Sequence, residues 1–225
     1  MIWKSKKPKS KAWRIINSVT AIIVLPFALI FVAPQLLAWP HKVVVGDTSV
    51  YAEAPISSEI NRVLARSDAL LRRSTIYSTG YGKQIFLTDG GWRWKLLAFR
   101  SSGAFGLSRP LGSIIINRNS VRENWVNRGD DIGGIRSLSS IIAHERTHGL
   151  IRTHFGLLSD LQVPTWKREG YCEYIAGETS LTATQVADLR RRGIDHPAIV
   201  YFEGQAKMQR LLDVEGQTVD AVFAE

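Results

Sequence analysis

Residues 137–156 read SLSSIIAHERTHGLIRTHFG and hold three of the five histidines in this 225-residue chain. Apolar residues recur along the stretch at the spacing of a helix that packs against a core. His144 and His148 are four residues apart, so a helix presents both imidazoles on one face, one turn from each other. Two imidazoles placed in this way can reach one metal ion at the distances that zinc requires. Glu145 stands beside them, where its carboxylate can reach a water molecule at the metal without binding the metal, and this is the HExxH arrangement.

A zinc site of this kind needs a third protein ligand, and His154 is the first candidate. It follows His148 by six residues, as does the third histidine of the pattern HExxHxxGxxH. That pattern needs a glycine where the chain turns back, and here the position is Ile151, a β-branched residue that such a turn disfavours. If the helix continues instead, His154 points about 120° away from His148 and becomes a surface or capping residue.

Glu169 is the second candidate for the third ligand. Twenty residues separate it from His148, which is enough chain to bring two helices face to face. It lies in the first turn of a second predicted helix, residues 164–178, for which Thr165 is the predicted cap. Glu173 is one turn further along the same face and is predicted to accept a hydrogen bond from a ligating histidine.

The order of the remaining elements is strands first and helices after, which indicates an α+β fold. The pattern predicts a strand and a turn over 41–55, a helix over 56–74, strands over 82–90 and 111–120, and helices over 182–193 and 203–216. Residues 90–106 fit either a strand or an irregular loop, and residues 121–134 have the polar, glycine-rich composition of a surface loop. The single cysteine, Cys172, excludes an intrachain disulfide and is interpreted as a small packing residue.

The N-terminus has the composition of a membrane anchor. Residues 1–14 carry six positive charges and no acid, and residues 15–40 carry no charge at all. An uncharged run of this length favours one transmembrane helix that is not cleaved over a cleaved signal peptide, whose apolar core is shorter and ends in a small-x-small site. The Lys/Arg bias places the basic tail in the cytoplasm and residues 41–225 outside it. Six of the nine net positive charges belong to the tail. The basic composition is therefore a topology signal, and no nucleic-acid partner is expected.

The two central stretches together resemble a known enzyme family. An HExxH sequence followed by Trp166, Glu169, Gly170 and Tyr171 is similar to the gluzincins, the thermolysin-like and membrane alanyl-aminopeptidase-like zinc peptidases. The resemblance covers roughly residues 111–178. The Gly-x-Met-Glu-Asn substrate motif of the aminopeptidases is absent from the sequence, and the chain is much shorter than either kind of enzyme.

The resemblance implies a zincin-like domain with one Zn²⁺ held by His144, His148 and Glu169. It also implies that Glu173 supports the site and that the strand within 111–120 lines the substrate cleft. With this ligand set, the predicted function is a membrane-anchored peptidase that cleaves a protein or peptide substrate, with Glu145 as general base.

Two other functions stay open. A membrane-tethered binding or scaffold domain could keep a degenerate peptidase fold, although binding alone does not need Glu145. A peptidase that works on nucleic acid is disfavoured by the modest charge of residues 41–225. Tyr201 and His196 are the candidates for stabilising the oxyanion, and each has an ordinary alternative role, as a core tyrosine and a loop histidine.

Overall fold

The computed structural model describes residues 28–224 and three positions before them, Thr20, Ile22 and Leu25. The predicted basic tail and the greater part of the predicted membrane span lie outside the described residues. The end of that span is helical over residues 28–32 and then forms a 3-10 turn at Pro34–Leu37. Among the described residues, no helix combines the length and the apolar character that crossing a membrane requires.

A mixed five-stranded sheet forms the centre of the fold. Its strands are β1 (His41–Val45), β2 (Thr48–Ala52), β3 (Gln84–Leu87), β4 (Gly106–Ser108) and β5 (Ser113–Ile116), in the spatial order β1-β2-β3-β5-β4. The three inner strands are parallel, and β1 and β4 pair antiparallel at the two edges. Because β5 has a neighbour on each side and helices on both faces, its three isoleucines are completely buried.

The two faces of the sheet are covered by different helices. Along β3 and β5, Ile85, Leu87, Ile114 and Ile116 face α1 (Ile60–Leu71) and α3 (Leu138–Phe155), whereas Phe86 and Ile115 face α2 (Trp92–Ala98). This alternation is the two-residue period of a strand. α2 falls in the stretch for which a strand or a loop was predicted. It is helical because Trp94, Leu97 and Ala98 recur at helical spacing and bury against Phe86 and Ile115.

The C-terminal part of the chain is helical, as predicted. Its helices are α4 (Ser159–Gln162), α5 (Thr165–Ala176), α6 (Ala183–Arg191), α7 (Ala198–Gln209), which continues as a π-helical turn at Arg210–Val214, and α8 (Val219–Ala224). α6 begins with the predicted capping box between Thr182 and Gln185. The predicted cap of α5 was wrong, because the helix already includes Thr165 and its N-cap is Pro164, with no side-chain hydrogen bond.

A small antiparallel sheet leads into the HExxH helix. It consists of β6 (Asn119–Ser120), β7 (Trp125–Asn127) and β8 (Ile135–Ser137), and α3 begins at the residue after β8. The prediction of a surface loop over residues 121–134 was therefore wrong for β7. Val126 in this strand is completely buried against the main core. Its burial stabilises the strand although the residues around it in the sequence are polar. The overall α+β prediction is confirmed, with a mixed sheet first and helices after.

Candidate metal centre

A cleft of about 560 Å³ opens between β4, α3, α5 and α7. All five predicted site residues line it, and they come from two helices: His144, Glu145 and His148 from α3, and Glu169 and Glu173 from α5. α3 lies between the sheet and α5, so the face that carries the histidines meets the face that carries the glutamates. The structure thus brings together residues that are as much as 29 positions apart in the sequence.

The strand that lines the cleft is β4 and not β5. Gly106, Leu107 and Ser108 all contribute to the cleft wall, whereas the three isoleucines of β5 lie in the core behind them. The expectation that the strand within residues 111–120 lines the cleft was therefore wrong. A run of consecutive isoleucines marks an inner strand that is buried on both faces, and an inner strand has no free edge to offer a cleft.

His154 does not join the site. α3 continues without a break through Ile151 to Phe155, so the histidine points away from the cleft. Its Nε2 lies 2.6 Å from Oδ1 of Asp220 on α8, in an exposed ion pair at the end of the helix. The surface role that follows from an uninterrupted helix is confirmed.

The distances from Glu169 to the two proposed histidine ligands fit a tetrahedral metal site. Oε2 of Glu169 lies 3.3 Å from Nε2 of His144 and 3.6 Å from Nε2 of His148. Zinc binds such atoms at about 2.0–2.1 Å, and two ligands at a tetrahedral angle are then about 3.3–3.4 Å apart. Both Glu169–histidine distances are within a few tenths of an ångström of this value.

Glu169 is ionised and held from one side. Its other oxygen, Oε1, accepts a hydrogen bond at 3.0 Å from Nε of Arg168. Burial raises the pKa of the Glu169 carboxyl, but His148 and His144 outweigh burial and leave the pKa well below its usual value. One oxygen is therefore occupied by the guanidinium, and the oxygen that faces the two imidazoles is the one available to a metal.

Glu173 joins His144 to a buried arginine. Both of its carboxylate oxygens accept hydrogen bonds from Arg136, at 2.8 Å and 2.7 Å, and Oε1 lies 3.4 Å from Nδ1 of His144. That last contact does not have the geometry of a hydrogen bond, so the hydrogen bond predicted from a ligating histidine to Glu173 is not formed, and Nδ1 has no hydrogen-bond partner among the described residues. Burial raises the pKa of Glu173, whereas Arg136 and then His144 lower it, with a lowered pKa as the result.

Arg136 was missed at the sequence level. It lies on β8, just before α3, and 37 positions separate it from Glu173. It also donates a hydrogen bond to the backbone oxygen of Glu178 at 2.6 Å, which ties the end of α5 to the start of α3. A bidentate pair with a carboxylate needs the planar guanidinium, but no local pattern reveals a partner so distant in the chain.

His144 lies among carboxylates. Burial lowers the pKa of its imidazole, but Glu173, Glu169 and Glu145 together raise it to about 10. A metal ion requires the neutral imidazole, so zinc that binds here must displace a proton.

Glu145 is buried against the edge strand. A side chain at Gly106 of β4 would come within 3.1 Å of Cγ and Oε1 of Glu145, so the glycine leaves the space that the glutamate fills. Burial raises the pKa of the Glu145 carboxyl, and the neighbouring His144 and His148 oppose this effect without cancelling it. A carboxylate with a raised pKa next to a metal site is suited to accept and release a proton.

The two candidates for the oxyanion role differ in position. Tyr201 of α7 lines the cleft, and its pKa is raised by burial first and then by the charges of Glu169 and Glu173. Its phenol stays protonated at neutral pH and can donate a hydrogen bond. His196 does not line the cleft. It lies at the start of α7, where its Nδ1 accepts a hydrogen bond at 3.1 Å from the backbone nitrogen of Ala198.

Cys172 lies closer to the histidines than its interpretation as a packing residue implied. Its Sγ and one nitrogen from each of His144 and His148 all lie within 4.8 Å of one another. The thiol is completely buried in the core behind the site and does not line the cleft. Cys172 comes three residues after Glu169, and this spacing places two side chains side by side on a helix. That spacing was the available signal.

No model of a known protein family matches the sequence, and no curated protein matches it either. The geometry of the side chains is consequently what any statement of function has to rest on. Two histidines and a glutamate converge on one point at the wall of an open cleft, with a second glutamate beside them.

Proposed function

We propose that this chain is a zinc-dependent peptidase of gluzincin type, with a zincin-like domain and with His144, His148 and Glu169 as the metal ligands. The observation that carries the proposal is the position of Glu169 Oε2, 3.3 Å and 3.6 Å from the Nε2 atoms of the two histidines. Two imidazoles and one carboxylate form the ligand set of catalytic zinc in thermolysin-like peptidases, in which the fourth position stays open.

The protein side chains would divide the work as follows. One zinc ion in this site would polarise the scissile carbonyl and make water a nucleophile at neutral pH. Glu145 accepts the proton of that water and delivers it to the leaving amine nitrogen. Glu173, itself held by Arg136 and 3.4 Å from Nδ1 of His144, would accept a hydrogen bond from that imidazole once a metal holds its Nε2. Tyr201 donates a hydrogen bond to the oxyanion as negative charge develops on it.

The edge strand supports a peptide as the substrate. β4 is the last strand of the sheet, and among the described residues only β5 pairs with it. Its outer edge therefore offers backbone N–H and C=O groups to an extended chain that lies in the cleft. Because β4 passes directly over Glu145, a peptide paired in this way would present its backbone carbonyls to the metal site.

The proposal includes the position of the enzyme in the cell. The uncharged run from residue 15 provides a single membrane anchor that ends before Pro34, because Leu37 and Trp39 already pack on the domain. Residues 1–14 stay in the cytoplasm, and the peptidase domain works on the other side. The sequence supports this placement through the uncharged run and the six positive charges before it.

A second candidate function follows from Cys172. If its thiolate completes the coordination together with both histidines and Glu169, the metal has four protein ligands and no open position. Such a closed site would stabilise a membrane-tethered binding domain and would not catalyse hydrolysis. The burial of Cys172 away from the cleft favours the open site.

Metal analysis of the full chain in detergent separates the two candidates. We expect about one zinc per chain, retained in Cys172→Ser and lost in Glu169→Ala. Cobalt substitution gives a second readout, since a thiolate ligand produces an intense charge-transfer band that an N2O site lacks. Loss of zinc in Cys172→Ser, together with that band in the unaltered chain, would contradict the peptidase proposal.

The test of catalysis is Glu145→Gln, which keeps the shape of the side chain. We expect normal zinc content and a rate of cleavage of an unfolded protein substrate lower by a factor of about 10²–10⁴. Asp220→Asn, which alters only an exposed pair far from the cleft, is the matched control and should cleave normally. Equal rates in Glu145→Gln and the control would refute the role of Glu145.

A further inference from the structure

Around α2 the chain is rich in positive charge, of which only Arg93 has an acidic partner among the described residues, Glu53 at 2.8 Å. Residues 90–122 contain six arginines and lysines and not one aspartate or glutamate. This stretch includes α2, the 3-10 turn Phe99–Ser101 that follows it, and the edge strand β4. Lys95 and Arg100 are exposed to solvent on this side of the sheet. The charge is therefore available to an anionic partner.

Large apolar side chains project from the same region. The α2 face is defined here by Trp92, Phe99 and Leu111, whose exposed fractions are 57%, 72% and 70%. The backbone of Phe99 has a positive φ of 49°, a conformation that costs free energy for any residue with a side chain. A strained backbone that presents a phenylalanine to solvent calls for a binding role.

Phe99 and Leu111 lie towards the C-terminal end of α2, whereas Trp92 is the first residue of the helix. Arg109 donates a hydrogen bond to the backbone oxygen of Leu97, near Phe99. A tight turn connects Arg109 with Gly112, with Leu111 inside it. The α2 face thus carries exposed aromatic and aliphatic side chains at both ends of the helix, with basic side chains among them, on the side of the sheet that α2 covers.

The segment that leads from the predicted anchor arrives at the α2 face. The guanidinium of Arg109 lies 4.8 Å from the centre of the Phe31 ring, and Arg93 donates a hydrogen bond at 3.3 Å to the backbone oxygen of Leu37. Leu29 and Val32, in the same short helical stretch, remain exposed. The uncharged run therefore meets the domain at the α2 face and, through Trp39, at Phe86 of β3 beneath it.

We propose that the α2 face lies on the surface of the lipid bilayer that holds the anchor. Tryptophan and phenylalanine are suited to the boundary between head groups and acyl chains, and the surrounding arginines and lysines to anionic phospholipid. An anchor that ends on a surface brings the membrane to that surface. The occupant of the α2 face is thus the bilayer itself.

This orientation determines where the cleft opens. Arg100 and Ser101, which follow Phe99 directly, line the cleft, and the chain then runs through residues 103–108 along its wall. The cleft mouth consequently adjoins the membrane surface. Given the peptidase activity proposed above, on which this step rests, the substrates are segments of membrane proteins that lie next to the bilayer.

The test uses the full chain in vesicles of equimolar phosphatidylcholine and phosphatidylglycerol. An environment-sensitive fluorophore is attached to Phe99→Cys, to Leu111→Cys, or to the control Val214→Cys, which is 79% exposed. Val214 ends the π-helical turn after α7, in the helical layer that α3 separates from the sheet. The native Cys172 is completely buried and should not react with the dye.

We expect a nitroxide-labelled lipid to quench the label at positions 99 and 111 and to leave the label at 214 unquenched, with the opposite order for aqueous iodide. Equal quenching at all three positions, by either quencher, would overturn the proposal. The result does not depend on zinc or catalysis, and it should be unchanged in a Glu145→Gln background. Lipid quenching without any hydrolysis would therefore contradict only the peptidase proposal. Hydrolysis without lipid quenching would contradict only the proposal that the α2 face lies on the bilayer.

Discussion

Replacing Gly170 by alanine tests the crossing of the two helices that form one wall of the cleft. Gly170 follows the proposed ligand Glu169 on α5, and α7 passes directly over it. A Cβ at this position would lie 2.5 Å from the backbone oxygen and 2.6 Å from the backbone carbon of Gly204. The reciprocal change at Gly204 would place a Cβ 2.7 Å from the backbone oxygen of Trp166. Both obstacles are backbone atoms, so rotation of a side chain cannot relieve them.

Whether Gly170→Ala lowers or raises the free energy of unfolding shows whether α5 and α7 pack closely where they cross. Helix propensity alone would make alanine more stable than glycine by about 1 kcal/mol in the interior of α5. The crossing has to widen by roughly 0.5 Å before the new carbon is tolerated, and overpacking of this kind costs about 1–3 kcal/mol. We therefore expect a net loss of stability of up to about 2 kcal/mol, and a fall in Tm of up to about 8 °C for a domain of this size.

Thermal unfolding followed by circular dichroism measures this loss, with chelator present so that the metal does not contribute. Gly103→Ala is the matched control, because it lies in a loop and a Cβ there meets nothing within 4 Å. The control should change the free energy of unfolding by less than about 1 kcal/mol. An increase of Tm in Gly170→Ala would mean that α5 and α7 do not approach closely at Gly170 and Gly204. The position of Tyr201 over the cleft would then be wrong as well.

Four further predictions concern the site. Tyr201→Phe should lower kcat by about 10²–10³-fold with unchanged zinc content, and an unchanged kcat would exclude the oxyanion role. Glu173→Gln should weaken zinc binding by about 10–100-fold in a competition titration with a chromophoric chelator. In the apoprotein the lowered pKa of Glu173 stabilises the fold at pH values above the usual pKa of a glutamate. The difference in unfolding free energy between the unaltered chain and Glu173→Gln should therefore shrink on acidification. A difference that does not change with pH would refute this role of the ionised carboxylate. Because the pKa of His144 is raised to about 10, apparent zinc affinity should rise with pH through the neutral range, whereas affinity independent of pH would contradict it.

The sequence predicted those parts of the molecule whose signals are local. The spacing of His144 and His148 places them on one helix face whatever surrounds the helix, and α3 is helical through both. The capping box of Thr182 and Gln185 is a contact within four residues, and it occurs where the pattern indicated. In each case the residues that form the sequence pattern are also the residues that contact each other. The rest of the chain therefore has little influence on whether the predicted local structure forms.

The errors arise where the decisive partner is distant in the sequence. Residues 92–98 form a helix because Trp94 and Leu97 meet Phe86 and Ile115, and nothing within the stretch excludes a strand. β4 lines the cleft because it lies at an edge of the sheet, and strand order is a property of the whole fold. Arg136 is a site residue only because Glu173 lies opposite it, on a helix that begins 29 positions later.

The electrostatics of the cleft provide an independent argument for a bound cation. Glu173 has Arg136 as its partner and Glu169 has Arg168, whereas Glu145 faces the two imidazoles. A buried carboxylate is costly unless positive charge lies nearby. Without a metal, this positive charge comes from the proton on His144, whose pKa is raised. That proton is lost at alkaline pH, and it does not hold His148 and Glu169 in place. A divalent ion between the imidazoles and Glu169 would neutralise the same carboxylates and also orient all three ligands. Glu145, Glu169, Glu173 and Arg136 are all buried around His144. A packed core does not require so many charged side chains, whereas a metal site uses them to bind the ion and to orient its ligands.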